Sequence, residues 1–286
     1  MPLITFYQAI RIMQNFQGSY LFDGLRDDIQ NQEFDRLSRQ AKIILPLEKR
    51  LWRHLELMSG SKVLDLGCGP GVITHALAEQ VYPGEVIGID ASETLIQSAP
   101  QLSQLAGNGR QLNITFHAGN VYNLDLPDEL FDVVYVRLLF QHLAEPMKAL
   151  ASILRVLRRG GKLCILDVDD DWASLYPEPD SFSRLRQAIA RLQQARGGDP
   201  WVGRKLAHYL NDAGFIQVQT TMQLIDSHRL GLANFFDLLS FGAPYRSGQP
   251  DLEGAIADAY QDIQRLINNP SAWAGFGLFV ATGHKP

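Results

Sequence analysis

From residue 62 onward, short apolar runs alternate with stretches that have helical periodicity. Strand–helix alternation of this kind is typical of a parallel β-sheet with helices on both faces. The helical patterns cover residues 72–82, 92–105 and 145–159. The runs predicted to be strands are residues 62–66, 85–90, 114–118, 131–137 and 162–169, with two later candidates at 216–225 and 277–283. The pattern therefore predicts an α/β protein with a seven-stranded, mostly parallel sheet.

Four of the predicted strands contain almost uninterrupted apolar runs, VLDL, VIGI, DVVYV and LCIL. Strands buried on both faces have this composition, so these four are predicted to form the sheet centre. A helical pattern over residues 33–57, with a kink expected at Pro46, predicts an N-terminal helical cover over the ligand edge of the sheet. Further helical patterns in 171–213 and 228–275 predict a C-terminal helical cover on the substrate side.

Composition and charge narrow the class of protein. The chain has 286 residues, of which 46% are hydrophobic, as in an ordinary globular protein. Its formal net charge is -5, so the chain lacks the positive electrostatic field of a protein that binds phosphate backbones. No nucleic-acid partner is therefore expected. The basic run 155–162 is placed at a predicted helix end, where cations offset exposed carbonyls. No pattern in the sequence predicts an oligomeric state.

Cysteine use and targeting signals add two expectations. Cys68 and Cys164 lie in separate apolar stretches without metal-ligand or disulfide spacing, so both are predicted to be reduced thiols and no metal site is expected. The first 16 residues do not have the pattern of a signal peptide, and no apolar run approaches the ~18 residues that span a bilayer. A cytoplasmic location and no membrane span are therefore expected.

The strongest chemical signal is the sequence VLDLGCGPG at residues 63–71, where a buried strand enters a glycine-rich turn before a helix. Glycine has no side chain to block a nucleotide-like ligand, so alternating glycines at 67, 69 and 71 predict a ligand-binding turn. Asp90 ends the next strand, 23 residues after Gly67. In doubly wound folds a carboxylate at this place accepts hydrogen bonds from ribose hydroxyls.

With these motifs, followed by HAGNVYNLDLP, FDVVYVRLLFQHL and LRRGGKLCILDVD, the chain resembles the class I S-adenosylmethionine-dependent methyltransferases over residues 61–170. It is most similar to the small-molecule subgroup that includes the ubiquinone and menaquinone methyltransferases, which carry an N-terminal pattern like YLFDGL…FDRLSRQ. The resemblance implies a Rossmann-like fold, S-adenosylmethionine as cofactor and methyl transfer by in-line displacement to a small molecule. The nucleophile, whether oxygen, nitrogen, sulfur or carbon, stays open.

The resemblance also implies roles for single residues. Gly67, Cys68, Gly69 and Gly71 would form the turn under the methionine and ribose portions, and Asp65 would help to hold the amino group. The remaining residues that the resemblance places at the cofactor are Asp90 at the ribose, Ala91, Asn120 and Val121 at the adenine, and Arg137 and Leu138 at the methionine arm. Asn120 stands where the family often has aspartate, but its amide can also donate and accept hydrogen bonds.

Several candidates keep a second interpretation. The Arg137 guanidinium either binds a carboxylate through two parallel hydrogen bonds or lies at the surface of the sheet edge. Tyr20, Arg36 and Gln40 in the N-terminal cover either close over the cofactor or serve packing. His142 and Asp169 are the candidate catalytic residues, because a base at the carboxyl ends of the strands lies at the ligand crevice. Asp170 and Asp171 are weighed beside Asp169, with one member of this triplet expected to face the pocket.

The expected organisation is an N-terminal cover (1–60), a cofactor-binding core (61–170) and the rest of the sheet with substrate-side insertions (171–286). A hydrophobic or aromatic acceptor is suggested by residues in the last part: Met222, His228, Phe235, Phe236, Phe241, Tyr245 and Trp273. Two other functions are open. A nicotinamide-dependent oxidoreductase also uses a glycine turn and a distal carboxylate, although its usual spacing is G-x-G-x-x-G. A non-catalytic sensor or partner protein would bind the cofactor without turnover.

Overall fold

The computed structural model describes residues 18–53, 55, 57–106, 109, 111–239 and 250–286. The strands are β1 (Lys62–Leu66), β2 (Glu85–Asp90), β3 (Asn113–Ala118), β4 (Phe131–Arg137), β5 (Leu157–Tyr176), β6 (Ile216–Asp226) and β7 (Trp273–His284). The helices are α1 (Asp27–Trp52), α2 (Val72–Val81), α3 (Glu93–Ala106), α4 (Pro146–Val156), α5 (Asp180–Ala195), α6 (Leu206–Asp212), α7 (Ser227–Leu230), α8 (Leu232–Asp237) and α9 (Pro250–Ile267). Short 3-10 turns lie at Phe22–Gly24, Phe140–His142 and Gly203–Lys205.

The seven strands form one sheet in the order β3-β2-β1-β4-β5-β7-β6. Strands β1 to β5 pair in parallel, and β7 is antiparallel to both of its neighbours, β5 and β6. The prediction of a seven-stranded, mostly parallel sheet is confirmed. The four continuous apolar runs belong to β1, β2, β4 and β5, which are adjacent in the middle of the sheet.

Alternating residues of the central strands pack into two separate cores. In β4, Val133 and Tyr135 join one core, whereas Val134 and Val136 join the other. Residues of α1, α2 and α9 cover the first face, and residues of α4 and α6 cover the second. Helices on both faces explain why these strands are apolar at every position instead of at every second one.

The parallel strands end at a common edge of the sheet, and this edge carries the predicted motifs. β1 runs into the glycine turn, β2 ends at Asp90 and β4 ends at Arg137. Residues of α1 face the same edge across a cavity. Of the described helices, none combines the length and apolar character needed to cross a membrane.

The predicted bounds of α1, α4 and β5 are wrong. α1 begins and ends five or more residues earlier than expected and continues through Pro46. α4 ends at Val156 instead of 159, because Leu157 pairs with Phe131 of β4 and the Gly160 N–H donates to the Lys285 carbonyl. β5 runs from Leu157 to Tyr176, beyond the expected bounds of 162–169 at both ends, because it pairs with β4 and β7.

Candidate functional site

A cavity of about 990 Å³ lies at the carboxyl ends of the parallel strands. Its volume is at the upper end of the roughly 300–1,000 Å³ found for small-molecule and cofactor sites. The predicted site residues that line it are Tyr20, Arg36, Gln40, Asp65, Gly67, Cys68, Gly69, Asp90, Ala91, Asn120, Val121, Arg137, Leu138, His142 and Asp169. The structure therefore brings together residues that the sequence scatters over 150 positions.

The glycine turn uses left-handed backbone at each of its glycines, with φ of +77° at Gly67, +52° at Gly69 and +82° at Gly71. A Cβ on Gly69 would meet no atom within 4 Å, so the open space beside this residue belongs to the cavity that it lines. A Cβ on Gly71 would lie 2.9 Å from the Phe116 ring. Gly71 does not line the cavity; it starts α2 and leaves room for Phe116, so its expected place beneath the cofactor is corrected.

Asp90 joins the end of β2 to the glycine turn. Its Oδ2 accepts a hydrogen bond from the Gly69 N–H at 2.8 Å, and its Oδ1 accepts one from the Ser92 N–H at 2.9 Å. Burial raises the pKa of the Asp90 carboxyl, although these backbone hydrogen bonds act in the opposite direction. Each oxygen keeps a second lone pair, so the fixed carboxylate can accept hydrogen bonds from a ligand.

Asp65 is buried below the turn and accepts a hydrogen bond from the Thr74 hydroxyl at 2.6 Å. Burial raises the pKa of Asp65 to about 7, and the charge of Glu48 acts in the same direction. An anion in this position is poorly stabilised by the protein itself. A cationic group of a ligand would therefore favour its ionised form.

Residues 18–24, called here the N-terminal strap, cross the cavity between two anchors. At one end the Ser19 N–H donates to the His142 carbonyl at 2.9 Å, and Gly18 forms a bridge with Leu143. At the other end the Asp23 carboxylate accepts hydrogen bonds from the Ser92 hydroxyl at 2.5 Å and the Glu93 N–H at 3.0 Å. The strap thus holds Tyr20 against the cavity.

His142 is held by the strap. Its Nδ1 lies 2.9 Å from the Ser19 hydroxyl, and its ring centroid lies 5.1 Å from that of Tyr20. Burial lowers the pKa of His142 to about 3, and the positive charge of Arg36 acts in the same direction. The imidazole is therefore neutral at physiological pH and a much weaker base than a free histidine.

The polar residues of α1 form a second connection across the cavity. Arg36 donates through Nε and Nη2 to the buried Glu33 carboxylate, which also accepts from the Tyr20 hydroxyl at 2.8 Å. Arg36 Nη1 and Gln40 Nε2 both donate to the Leu238 carbonyl, at 3.2 and 2.8 Å. These bonds tie the N-terminal cover to the segment that follows α8.

Arg137 is largely shielded from solvent, with 11% of its side chain exposed, so the interpretation as a surface residue is wrong. Its Nε donates to Oε1 of the fully buried Glu48 at 2.6 Å, and the Tyr135 hydroxyl donates to Oε2 at the same distance. Within the described part of the chain, Arg137 Nη2 is buried without a hydrogen-bond partner. Arg137 also lines the cavity, so its positive charge lies beside the space that a ligand would fill.

The backbone N–H of Tyr122 fixes the Asn120 side chain by donating to its Oδ1 at 2.9 Å. The Asn120 amide nitrogen remains as a donor toward the cavity side that Ala91 and Val121 also line.

Asp169 is held from outside the cavity. Arg204 donates to its two carboxylate oxygens, Nε at 2.5 Å and Nη2 at 2.6 Å. Arg204 also contacts Asp171 at 2.8 Å, and the Trp201 indole N–H donates to Asp171 at 3.0 Å. A two-pronged arginine contact of this kind fixes both the position and the orientation of the carboxylate.

The aromatic lining expected from the C-terminal insertion is wrong for the described residues. Phe235 and Phe236 belong to the core, where Phe235 packs against Phe276 and Phe236 against Phe182. Met222 is exposed, and neither His228 nor Trp273 lines the cavity. Phe241 and Tyr245 lie outside the described residues.

Sequence reasoning missed three acidic anchors of the site, Asp23, Glu33 and Glu48. A signal existed for Glu48, which follows Leu37, Ala41 and Ile44 at helical spacing and so stands in an apolar stripe. A charged residue in such a stripe requires a buried partner.

Residues 57–214, more than half of the chain, match a family described as a methyltransferase domain. The chain belongs to this family. The predicted resemblance to the methyltransferases is thereby confirmed. Among curated methyltransferases, an uncharacterized methyltransferase of Schizosaccharomyces pombe is 34% identical over 158 residues, covering 54% of this chain and 56% of that protein. A demethylmenaquinone methyltransferase of Lactobacillus johnsonii is 30% identical over 146 residues, covering 48% of this chain and 59% of that protein.

The chain thus covers little more than half the length of those two relatives. Among solved structures, Haemonchus contortus phosphoethanolamine N-methyltransferase 2, in complex with S-adenosyl-L-methionine, superposes with a TM-score of 0.58. The superposition covers 87% of this chain and 56% of that one, at 16% sequence identity. At this identity the likeness shows a shared fold. Among the described residues, no group of histidine, cysteine and acidic side chains could hold a metal ion.

Proposed function

We propose that this protein is an S-adenosylmethionine-dependent methyltransferase that acts on a small molecule. The observation that carries the proposal is the joined pair of glycine turn and Asp90, because the Gly69 N–H to Asp90 contact fixes a carboxylate beside open space. A nucleoside needs both features: backbone without side chains for close approach, and a rigid acceptor for its hydroxyls.

The remaining polar groups of the cavity fit the other parts of this cofactor. Asp90 would accept the ribose hydroxyls, and Asp65 would face the ammonium group. The guanidinium groups of Arg137 and Arg36 would lie near the carboxylate. Ala91, Asn120 and Val121 would border the adenine, while Gly67, Cys68 and Leu138 would border the methionine arm. Tyr20 and Gln40 would close the cavity from above.

The cofactor would supply a methyl group already activated for displacement. The task of the protein is then to align the acceptor and exclude water. The strap and α1 cover the cavity through contacts on both sides, which serves exclusion of water. His142 and Asp169 take positioning tasks in this proposal: His142 anchors the strap, and Asp169 fixes the end of the β5 bulge to Arg204.

A small acceptor is favoured by the size and enclosure of the cavity. Its volume of about 990 Å³ leaves room for an acceptor beside a nucleoside cofactor. The net charge of -5 argues against a nucleic-acid substrate. We propose the domain organisation that the sequence predicts. Residues 61–170 bind the cofactor, residues 1–60 cover it, and residues 171–286 complete the sheet and shape the acceptor side of the cavity.

The test is calorimetric titration with S-adenosylhomocysteine and NADH of the wild type and of two variants, Asp90→Ala and Asp125→Ala. Asp125 is exposed and does not line the cavity, so it serves as the matched control. Asp90→Ala should weaken S-adenosylhomocysteine binding at least tenfold, which corresponds to about 1.4 kcal/mol, and Asp125→Ala should not.

Equal affinity of wild type and Asp90→Ala would refute the ribose assignment. Binding of NADH without S-adenosylhomocysteine would favour the oxidoreductase. Transfer of a radiolabelled methyl group to an acceptor separates the enzyme from a non-catalytic sensor.

A further inference from the structure

The acidic triplet Asp169 to Asp171 lies where β5 stops following β7. The two strands pair up to Val168 with Leu278, and pairing resumes at Ala173 with Phe276. The residues between 168 and 173 therefore bulge out of the ladder beside the cavity. Bulges of this kind occur next to active sites because they redirect side chains.

Asp170 differs from its two neighbours in what holds it. Asp169 and Asp171 are both bound by Arg204, whereas the Asp170 carboxylate receives no hydrogen bond from the residues that the structure describes. Its backbone is fixed on both sides: the N–H donates to the Pro200 carbonyl at 2.9 Å, and the carbonyl accepts from Arg186. Asp170 lines the cavity, so a rigid backbone presents a carboxylate whose acceptor positions are unused.

Burial and the neighbouring charges together allow the Asp170 carboxylate to take up a proton near neutral pH. Burial raises the pKa of Asp170 to about 6; Arg186 on α5 acts to lower it, whereas the negative charges of Asp169 and Asp171 act to raise it. A base is most effective when its pKa lies near the working pH and its position is fixed.

The wall around Asp170 is mostly apolar. The cavity residues contributed by β5, α5, β7 and the segment after α8 include Val168, Ala173, Ile189, Leu238, Phe276 and Leu278. A ligand that fills this part of the cavity would bury an apolar group. It would also need one hydrogen-bond donor to pair with the Asp170 carboxylate.

We propose that Asp170 is the catalytic base of the methyl transfer, and that the acceptor is an apolar molecule whose nucleophile is a hydroxyl or amino group. This inference rests on the proposed function. Asp170 accepts a hydrogen bond from the O–H or N–H of the acceptor. As the C–O or C–N bond forms, the C–S bond breaks and its electron pair stays on sulfur. The acceptor proton passes to the Asp170 carboxylate and then to water.

The binding test uses protein saturated with S-adenosylhomocysteine and three probes of one shape: 4-butylphenol, 4-butylaniline and 4-butylanisole. The phenol and the aniline distinguish the two donors, and the anisole lacks a donor. At pH 7.5 at least one donor probe should bind the wild type tenfold or more tightly than the anisole. This preference should disappear in Asp170→Ala, which removes the acceptor oxygens, and persist in Asp125→Ala, an exposed residue outside the cavity lining.

The kinetic test follows methylation of the probe that binds best. Asp170→Asn should lower kcat about 100-fold or more, the range expected for loss of a general base, while the control Asp125→Asn stays within threefold of the wild type. The wild-type rate should fall as pH drops through about 6, because the base becomes protonated. The inflection should be absent in Asp170→Asn.

The inference is overturned if no donor probe binds better than the anisole, if Asp170→Ala keeps the preference, or if Asp170→Asn keeps the rate. Binding of S-adenosylhomocysteine is measured first in every variant. Its absence from the wild type would refute the proposed function, whereas its presence without dependence on Asp170 would refute only the assignment of the base.

Discussion

Replacing Glu48 with alanine should destabilise the protein much more than removal of an exposed charge on α2. Glu48 is fully buried and accepts hydrogen bonds from both Arg137 and the Tyr135 hydroxyl. Its removal leaves the Arg137 guanidinium, only 11% exposed, without its carboxylate. Breaking a buried ion pair from one side typically costs about 3–5 kcal/mol. We expect a loss of that size in Glu48→Ala, and a smaller one of about 1–3 kcal/mol in Glu48→Gln, which keeps an acceptor oxygen.

The assay is urea unfolding followed by circular dichroism, with equal m-values required for the comparison. Glu79→Ala is the control, since Glu79 is 38% exposed and lies 3.8 Å from Lys49; a change within about 0.5 kcal/mol is expected there. A loss below about 1 kcal/mol in Glu48→Ala would refute the claim that Arg137 depends on this partner. The double variant Glu48→Leu with Arg137→Met should recover most of the loss, because it removes both buried charges.

Two further predictions concern the turn and the sheet beneath it. Burial raises the pKa of Asp65 to about 7, so the native state holds a proton that the unfolded chain releases near pH 4. The contribution of Asp65 to the free energy of unfolding of cofactor-free protein should therefore fall as pH rises from about 4 through 7, so the wild-type curve should decline relative to that of Asp65→Asn; parallel pH curves from urea unfolding would contradict this. Gly88→Ala would place a Cβ 2.7 Å from the Phe116 ring and should cost about 1–3 kcal/mol in the same assay. Gly254→Ala in α9, with no atom within 4 Å of the new Cβ, should be neutral or stabilise by up to about 1 kcal/mol; equal effects of the two substitutions would refute the packing argument.

The parts of the fold that sequence predicts best are those where local pattern and final environment agree. β1, β2 and β4 have the predicted bounds, because strands covered on both faces carry an uninterrupted apolar signal. The end of α4 was not predictable in this way. Residues after Val156 continue a helical pattern, but pairing of Leu157 with Phe131 draws them into β5, and no local window contains that partner.

The residues of the site also differ in how well sequence predicts them. The glycine turn and Asp90 are close in sequence and have a recognisable motif. The Glu48 bonds to Tyr135 and Arg137 join residues 87 and 89 positions apart, so a single sequence shows neither partner. For the acidic triplet, sequence predicts that one member faces the pocket, but only the position of Arg204 distinguishes Asp170 from Asp169.

The place of β7 in the sheet has a consequence for the order of folding during synthesis. β6 reaches the sheet only through β7, and His284 at the end of β7 contacts the Gly160 carbonyl across 124 residues of chain. Until residues 273–284 leave the ribosome, β5 presents an unpaired edge and β6 has no neighbour. Contacts of such long range are slow to form, so the nascent chain should pass through a stage in which the first five strands are assembled and β6 remains open to chaperones.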